Sequence, residues 1–121
     1  MSEARFRRRQ RLAGPAPFRD LFNKGATSRG DWLVLTVLPN GRIYSRFGCT
    51  IRRQAVPAGA LRNRLKRWLR ETFRLNQASI PSGLDIAAIV TRLPESASFS
   101  TVEGEFKRLI QRLGLQEDSG S

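Results

Sequence analysis

The residues best able to do chemistry in this 121-residue chain are arginines. They concentrate in one run: Ala60-Leu-Arg-Asn-Arg-Leu-Lys-Arg-Trp-Leu-Arg-Glu-Thr-Phe-Arg74. The chemistry such a run serves is phosphate binding. A guanidinium group makes planar bidentate contacts to phosphate and stacks on bases, which the point charge of lysine does less well. Wound as a helix at about 100° per residue, the run places Leu61, Leu65, Trp68, Leu69, Thr72 and Phe73 on one side. Arg62, Asn63, Arg64, Lys66, Arg67, Arg70 and Arg74 fall on the other, and Glu71 is the single acid. Arg62, Lys66 and Arg70 repeat one charge sign at i, i+4, which destabilises an isolated helix. A solvated surface helix normally alternates its signs. A polyanion laid along the cationic side relieves the repulsion.

Most other chemistry is excluded. The chain has no histidine, so no Ser-His triad or histidine general base is available. The lone Cys49 rules out an internal disulfide and a zinc site, and reads as a small buried hydrophobe in a β-like run. The ten acids are scattered, with no D-x-D or E-x-x-E pair, and no G-x-x-x-x-G-K-S/T phosphate loop occurs. If the chain serves an enzyme, it serves as a binding subunit. A second candidate set is Phe18 and Phe22 beside Lys24, whose helical spacing fits either a core stripe or a cleft for single-stranded nucleic acid.

Charge points the same way. The formal net charge is +12 and the sequence pI about 11.7, a range that suits a nucleic acid or an anionic surface. Residues 1–80 carry 18 Lys and Arg against 4 Asp and Glu, whereas residues 81–121 carry 4 against 6. The basic character therefore belongs to particular elements. No apolar run approaches the length of a membrane span, and the basic stretch Arg5–Arg11 lacks the apolar segment of a secretory signal. These features imply a cytoplasmic protein that binds no membrane.

The elements that must position these groups form one domain, since 40% apolar content supports a single core. Residues 1–14 read as a flexible basic arm, 15–114 as the folded domain and 115–121 as a disordered tail. A first helix carries Phe18, Leu21 and Phe22 on one face and stops at Gly25. Residues 26–31 read as a polar loop. Trp32–Leu38 is a strand, Asn40-Gly41 is a hairpin signal, and Ile43–Ile51 is the return strand. A loop over 52–59 leads into the basic helix at about 60–76. Leu84–Thr91 is a further strand, apolar enough to be central. Ser98 or Ser100 caps a last helix with Val102, Phe106, Leu109, Ile110 and Leu113 on its core side. Trp68 belongs to the core stripe, and Trp32 has no clear placement. The expected class is α+β, a single-domain sandwich in the order α-β-β-α-β-α.

The segment Leu61–Arg74, with Arg62-Asn63-Arg64 at its head, resembles the R-N-R signature of the bacterial ribonuclease P protein component. Phe18-x-x-Leu-Phe-x-Lys-Gly25, Tyr44-Ser-Arg-Phe-Gly48 and Ile80-Pro-Ser-Gly-Leu-Asp-Ile86 resemble its flanking segments in order, so the likeness runs over about residues 12–113. The resemblance implies a protein subunit of ribonuclease P, bound 1:1 to a catalytic RNA that removes the 5′ leader of precursor tRNA with Mg²⁺ held mainly by RNA. It implies no catalytic residues in this chain. It assigns Arg52, Arg62, Asn63, Arg64, Lys66, Arg67, Arg70 and Arg74 to the catalytic RNA. It assigns Phe18, Phe22, Lys24, Val34, Thr36, Thr50 and Arg53 to the leader, in a cleft between the first helix and the sheet. It also implies a left-handed β-α-β crossover, where the general handedness rule favours a right-handed one.

Two departures from the family pattern stand out. The link Gln54–Leu61 is about one residue longer than usual and uncharged, and Thr36 stands where an aromatic often lies on the cleft strand. The alternative reading is a structural RNA-binding protein such as a ribosomal protein. A major-groove DNA reader and a stand-alone nuclease fit less well, for want of base-reading side chains on residues 60–74 and of acid pairs.

Overall fold

The computed structural model describes residues 8–12 and 15–114, so the ends of the expected basic arm and the whole of the 115–121 tail lie outside the described residues. The elements are α1 (Pro15–Lys24), β1 (Ala26–Arg29), β2 (Leu33–Pro39), β3 (Arg46–Ile51), α2 (Gly59–Asn76), β4 (Leu84–Val90) and α3 (Phe99–Arg112), with short 3-10 turns at Arg8–Gln10 and Gln77–Ser79. The class is α+β in the order α-β-β-β-α-β-α, one strand more than the expected order. None of the described helices is long and apolar enough to cross a membrane.

The sheet runs β1-β2-β4-β3. β4 pairs antiparallel with β2 and parallel with β3, so it is central, as its apolar character on both faces requires. β3, α2 and β4 form a crossover unit between neighbouring strands. The larger core lies on one face. Leu33, Leu35 and Val37 of β2, Phe47 and Ile51 of β3, and Ile86, Ala88 and Val90 of β4 are buried there. Leu65, Leu69 and Phe73 of α2 and Val102, Phe106 and Leu109 of α3 close over them. Phe47 stacks on Phe73 at 5.0 Å and meets Phe106 edge-on at 6.2 Å. Trp32 is buried in this cluster, and Trp68 packs half-buried against it. Ser98 caps α3, its hydroxyl accepting from the Thr101 N–H at 3.1 Å.

The hairpin expected at Asn40-Gly41 does not form. The turn is real: Gly41 takes φ +72°, and the Arg42 N–H donates to Asn40 Oδ1 at 2.8 Å. Its flanking strands are nevertheless separated by β4, and the return strand begins at Arg46 rather than Ile43. A buried polar network holds residues 40–45 out of the sheet. Asn40 Nδ2 donates to Asp85 Oδ1 at 2.9 Å and to the Tyr44 carbonyl at 3.3 Å. Arg46 grips Asp85 in a fork of 2.8 and 2.6 Å, which holds its guanidinium pKa above the ordinary arginine value.

Two other expectations need correction. The polar loop 26–31 contains β1, registered so that Thr27 faces Thr36 and Arg29 faces Val34. Part of the supposed arm is packed: Leu12 is buried, its N–H donates to the Phe47 carbonyl at 2.9 Å, and Arg11 bridges in parallel to Phe47. Gln10 is buried too, with its side-chain amide donating to the Ser45 carbonyl at 3.1 Å. These contacts cover the first part of the free edge of β3.

Candidate nucleic-acid interface

The face of the sheet opposite the core is only half covered. Period-two alternation and the strand register place Arg29, Val34, Ile89 and Thr50 in one row across it, with Thr27, Thr36, Ala87 and Gly48 in the next. α1 covers the second row, where Leu21 and Phe18 join Leu12 and Ala87 in a small apolar cluster. Two glycines allow that approach. A Cβ on Gly48 would lie 2.8 Å from the Leu12 carbonyl oxygen and from the Phe18 ring. A Cβ on Gly25 would lie 2.6 Å from the carbonyl oxygens of Leu21 and Val37. In the first row Arg29 and Thr50 stay exposed and Ile89 half-exposed, while Val34 is buried.

The result is a cleft of about 310 Å³ between α1 and the sheet, lined by Phe22, Thr27, Arg29, Val34, Thr36, Arg52, Ile89 and Thr91. Val34 and Ile89 form an apolar floor. Phe22, 49% exposed, stands at the wall, 6.2 Å from Phe18 and tilted by 43°. Arg29 and Arg52 supply the cations. Thr36 is 1% exposed and its hydroxyl is hydrogen-bonded to that of Thr27 at 3.1 Å. It shapes the floor without offering a stacking surface. An apolar floor, one exposed aromatic wall and two arginines suit a single nucleic-acid strand, with bases turned inward and phosphates near the guanidinium groups.

Of the residues expected at this cleft, Phe22, Val34 and Thr36 line it. Phe18 backs Phe22 from within the apolar cluster. Thr50 is exposed on the cleft face, registered with Ile89, though it is not among the lining residues. Lys24 is exposed at the last turn of α1, and Arg53 is exposed in the turn after β3; neither lines the cleft. Arg52, expected on the side of the basic helix, lines the cleft instead. The alternation of Gly48 and Thr50 along β3, continued to Arg52 just past its end, predicts that side and could have been read from the sequence. Ile89, Arg29 and Thr91 were missed: Ile89 is one apolar residue among many in β4, and Arg29 lay in a supposed loop.

The second surface is α2. Asn63, Arg64 and Arg67 are exposed, and Lys66 and Arg70 flank them half-exposed. Burial raises the thiol pKa of Cys49, and the charges of Arg70 and Lys66 oppose that rise, so this flank reaches the edge strand β3 electrostatically. No acid occupies the first turn, and Ala58 at the N-cap offers no side-chain acceptor, so the positive end of the helix adds to the field of its arginines. Two expected members have internal duties. Arg62 Nη1 donates to the carbonyls of Val56 and Pro57, both at 2.8 Å, and ties the helix to the loop before it. Arg74 pairs with Glu71, which holds the Glu71 carboxyl below its usual range. Leu65, Leu69, Thr72 and Phe73 are buried beneath, as the helical period requires.

The family model described as Ribonuclease P matches residues 6–114. The ribonuclease P protein component of Thermotoga maritima is 36% identical over 112 residues, covering 89% of this chain and 95% of that protein. The counterpart from Thermotoga petrophila is 34% identical over the same coverage. The solved ribonuclease P protein of T. maritima superposes with a TM-score of 0.72 at 32% identity, covering 84% of this chain and 96% of that one. The Staphylococcus aureus ribonuclease P protein reaches a TM-score of 0.80 at 19% identity, covering 89% and 98%, a likeness of fold alone. With its cationic helix and open-faced sheet in this arrangement, the chain belongs to the ribonuclease P protein component family.

Proposed function

We propose that this protein binds the RNA of ribonuclease P through α2 and holds the 5′ leader of precursor tRNA in the cleft, promoting endonucleolytic removal of the leader. The observation that carries the reading is the presence of two cationic surfaces on opposite faces of one sheet, both bordering β3. A protein that only stabilises an RNA needs the helix and has no use for a single-strand cleft. The exposed cations of α2 neutralise phosphates where two RNAs approach. The cleft then adds contacts that only a substrate with a leader can make. Among the described residues no three histidine, cysteine or acidic side chains cluster to hold a metal ion. As the family resemblance implies, we assign Mg²⁺ to the RNA and the bond cleavage to groups outside this chain.

Paired affinities test the reading. The complex reconstituted with ribonuclease P RNA is expected to bind precursor tRNA more tightly than mature tRNA, and the protein freed of RNA is expected to leave the leader intact. Equal affinity for the two tRNAs would remove the leader role, and cleavage by RNA-free protein would remove the division of labour.

A further inference from the structure

A separate cationic group stands where the chain enters β3. The guanidinium carbon of Arg9 lies over the Tyr44 ring, 4.6 Å from its centroid, and that of Arg42 lies 5.8 Å from it. Arg42 Nη1 also donates to the Tyr44 hydroxyl at 3.2 Å, so the hydroxyl keeps its own proton to donate. Both arginines are exposed, and among the described residues neither is paired with a carboxylate. Two like charges are thus held beside one ring, and an anion between them relieves their repulsion.

The same tyrosine lines an open pocket of about 170 Å³. Ile43, Tyr44, Phe73 and Ile80 give it apolar walls, and Gln10 and Gln77 bring side-chain amides. Small-molecule sites run to roughly 300–1,000 Å³, so this pocket suits one planar base rather than a larger ligand. Ile43 is 87% exposed, yet the loop that carries it is fixed at both ends. The Asn40 N–H donates to the Gly83 carbonyl at 2.8 Å. The Ser45 hydroxyl donates to the Pro81 carbonyl at 3.3 Å and accepts from the Leu84 N–H at 3.0 Å. Gly83 takes φ +83°, and a Cβ there would lie 2.8 Å from the Arg42 carbonyl oxygen, so this close approach requires glycine. With the Asp85 network, these bonds hold Ile43 and Tyr44 out of the sheet in one arrangement. An unpaired nucleotide needs such a surface: cations for its phosphate and an apolar wall for its base.

The site continues the surface of α2. Phe73 lies in the last turn of that helix and Gln77 follows its end, so the exposed Arg64 and Arg67 are within roughly 20 Å along the axis. The cleft is farther off: its Arg52 lies past the opposite end of β3, roughly 25 Å away along the strand. We infer that the pocket receives an unpaired nucleotide of ribonuclease P RNA, its phosphate between Arg9 and Arg42 and its base against Ile43 and Tyr44. The glutamine amides offer both donors and acceptors, so no one base is selected. The inference rests on the reading of α2 as the face for that RNA, and extends this face past the C-terminal end of the helix.

Binding of ribonuclease P RNA to the full chain tests the site. The double variant Arg9→Gln, Arg42→Gln changes only exposed side chains, and its melting curve checks folding. It is expected to bind the RNA about fivefold or more weakly, with the slope of log K against log salt lowered by about 0.7–0.9, the share of one phosphate. Ile43→Ser is expected to weaken binding about threefold or more with the slope unchanged, because it removes apolar contact and no charge. Complexes reconstituted with either variant are expected to keep their preference for precursor over mature tRNA. Full affinity and slope in the double variant overturn this site alone when the unmodified protein binds the RNA with steep salt dependence. Weak salt dependence in the unmodified protein overturns the α2 face as well. Unchanged affinity in Ile43→Ser overturns the base pocket. A lowered melting temperature with unchanged affinity per folded molecule overturns the site too, by showing that the arginines only support Tyr44. A loss confined to the preference for precursor tRNA would seat the leader here instead and overturn the assignment to ribonuclease P RNA.

Discussion

The two faces of the sheet do opposite work. On one, α2 and α3 seal a dry core against β2, β3 and β4. On the other, α1 covers a small cluster and leaves Val34, Ile89 and Thr50 beside a cleft. Both faces carry apolar residues at the same period, so hydrophobic patterning alone does not tell them apart. What separates them is how far the covering helix reaches. Stability resides on the α2–α3 face, and the α1 face keeps apolar surface in contact with solvent, available to a ligand.

The largest effect expected from this contrast is a pair of truncations. Leu69→Ala removes a fully buried side chain from the core face and should cost about 2–5 kcal/mol in stability. Ile89→Ser lies on the open face at half exposure and should cost less than about 1.5 kcal/mol, yet weaken precursor tRNA binding. Urea unfolding measures the first quantity and paired tRNA affinities the second. A loss at Ile89 as large as that at Leu69 would mean that the second face is a core as well.

Phe22 sharpens the comparison. It is half exposed and tilted against Phe18, so Phe22→Ala should remove about 1–3 kcal/mol of precursor binding through lost stacking, with mature tRNA nearly unaffected. Phe18→Ala should act mainly on stability, because its ring rests on Gly48 within the α1 cluster. Melting curves beside the paired affinities decide. Equal loss for both tRNAs at Phe22, with a lowered melting temperature, would take it out of the cleft.

The helix face divides in a similar way. Arg64 is exposed, whereas Arg62 holds the carbonyls of Val56 and Pro57. Arg64→Gln should lower the slope of log K against log salt for ribonuclease P RNA by about 0.7–0.9 and leave melting unchanged. Arg62→Gln should also destabilise the protein, by about 1–2 kcal/mol for the lost charged hydrogen bonds. Identical behaviour of the two variants would show that the Arg62 contacts with the loop carry no weight.

Much of this is legible in the sequence. α2 and α3 declare themselves by strong 3.6-residue periods, and β4 declares its central place by being apolar on both faces. The cationic ridge follows from the same period. What escaped depends on pairing between distant segments. β1, with the sequence ATSR, has no apolar alternation and becomes a strand because β2 offers it an edge. Asn40-Gly41 carries a true local turn signal, and the tertiary network at Asp85 overrides the hairpin it suggests. Ile89 enters the cleft only once β4 is registered between β2 and β3. Arg62 looked like a ridge residue because the helical wheel does not show the loop carbonyls that its guanidinium reaches.

The smallest expected effect links the two faces through Cys49, on the strand they share. Burial raises its thiol pKa, and Arg70 and Lys66 pull it down. Alkylation proceeds through the thiolate, so the rate-versus-pH midpoint in the free protein should lie above the ordinary thiol value of about 8.5. RNA phosphates that neutralise Lys66 and Arg70 remove the pull that favours the thiolate. The midpoint should then move to still higher pH, and the rate at fixed pH should fall. Moderate salt should reproduce part of that shift in the free protein by screening the same two cations. The double change Lys66→Gln, Arg70→Gln should raise the midpoint without RNA and abolish any further rise when RNA is added. A merely blocked thiol behaves differently: its rate drops equally at every pH, including where the group is fully ionised, and its midpoint stays in place. An unmoved midpoint in the complex would mean that Lys66 and Arg70 are not covered by phosphate, and would confine the RNA-facing part of α2 to Asn63, Arg64 and Arg67.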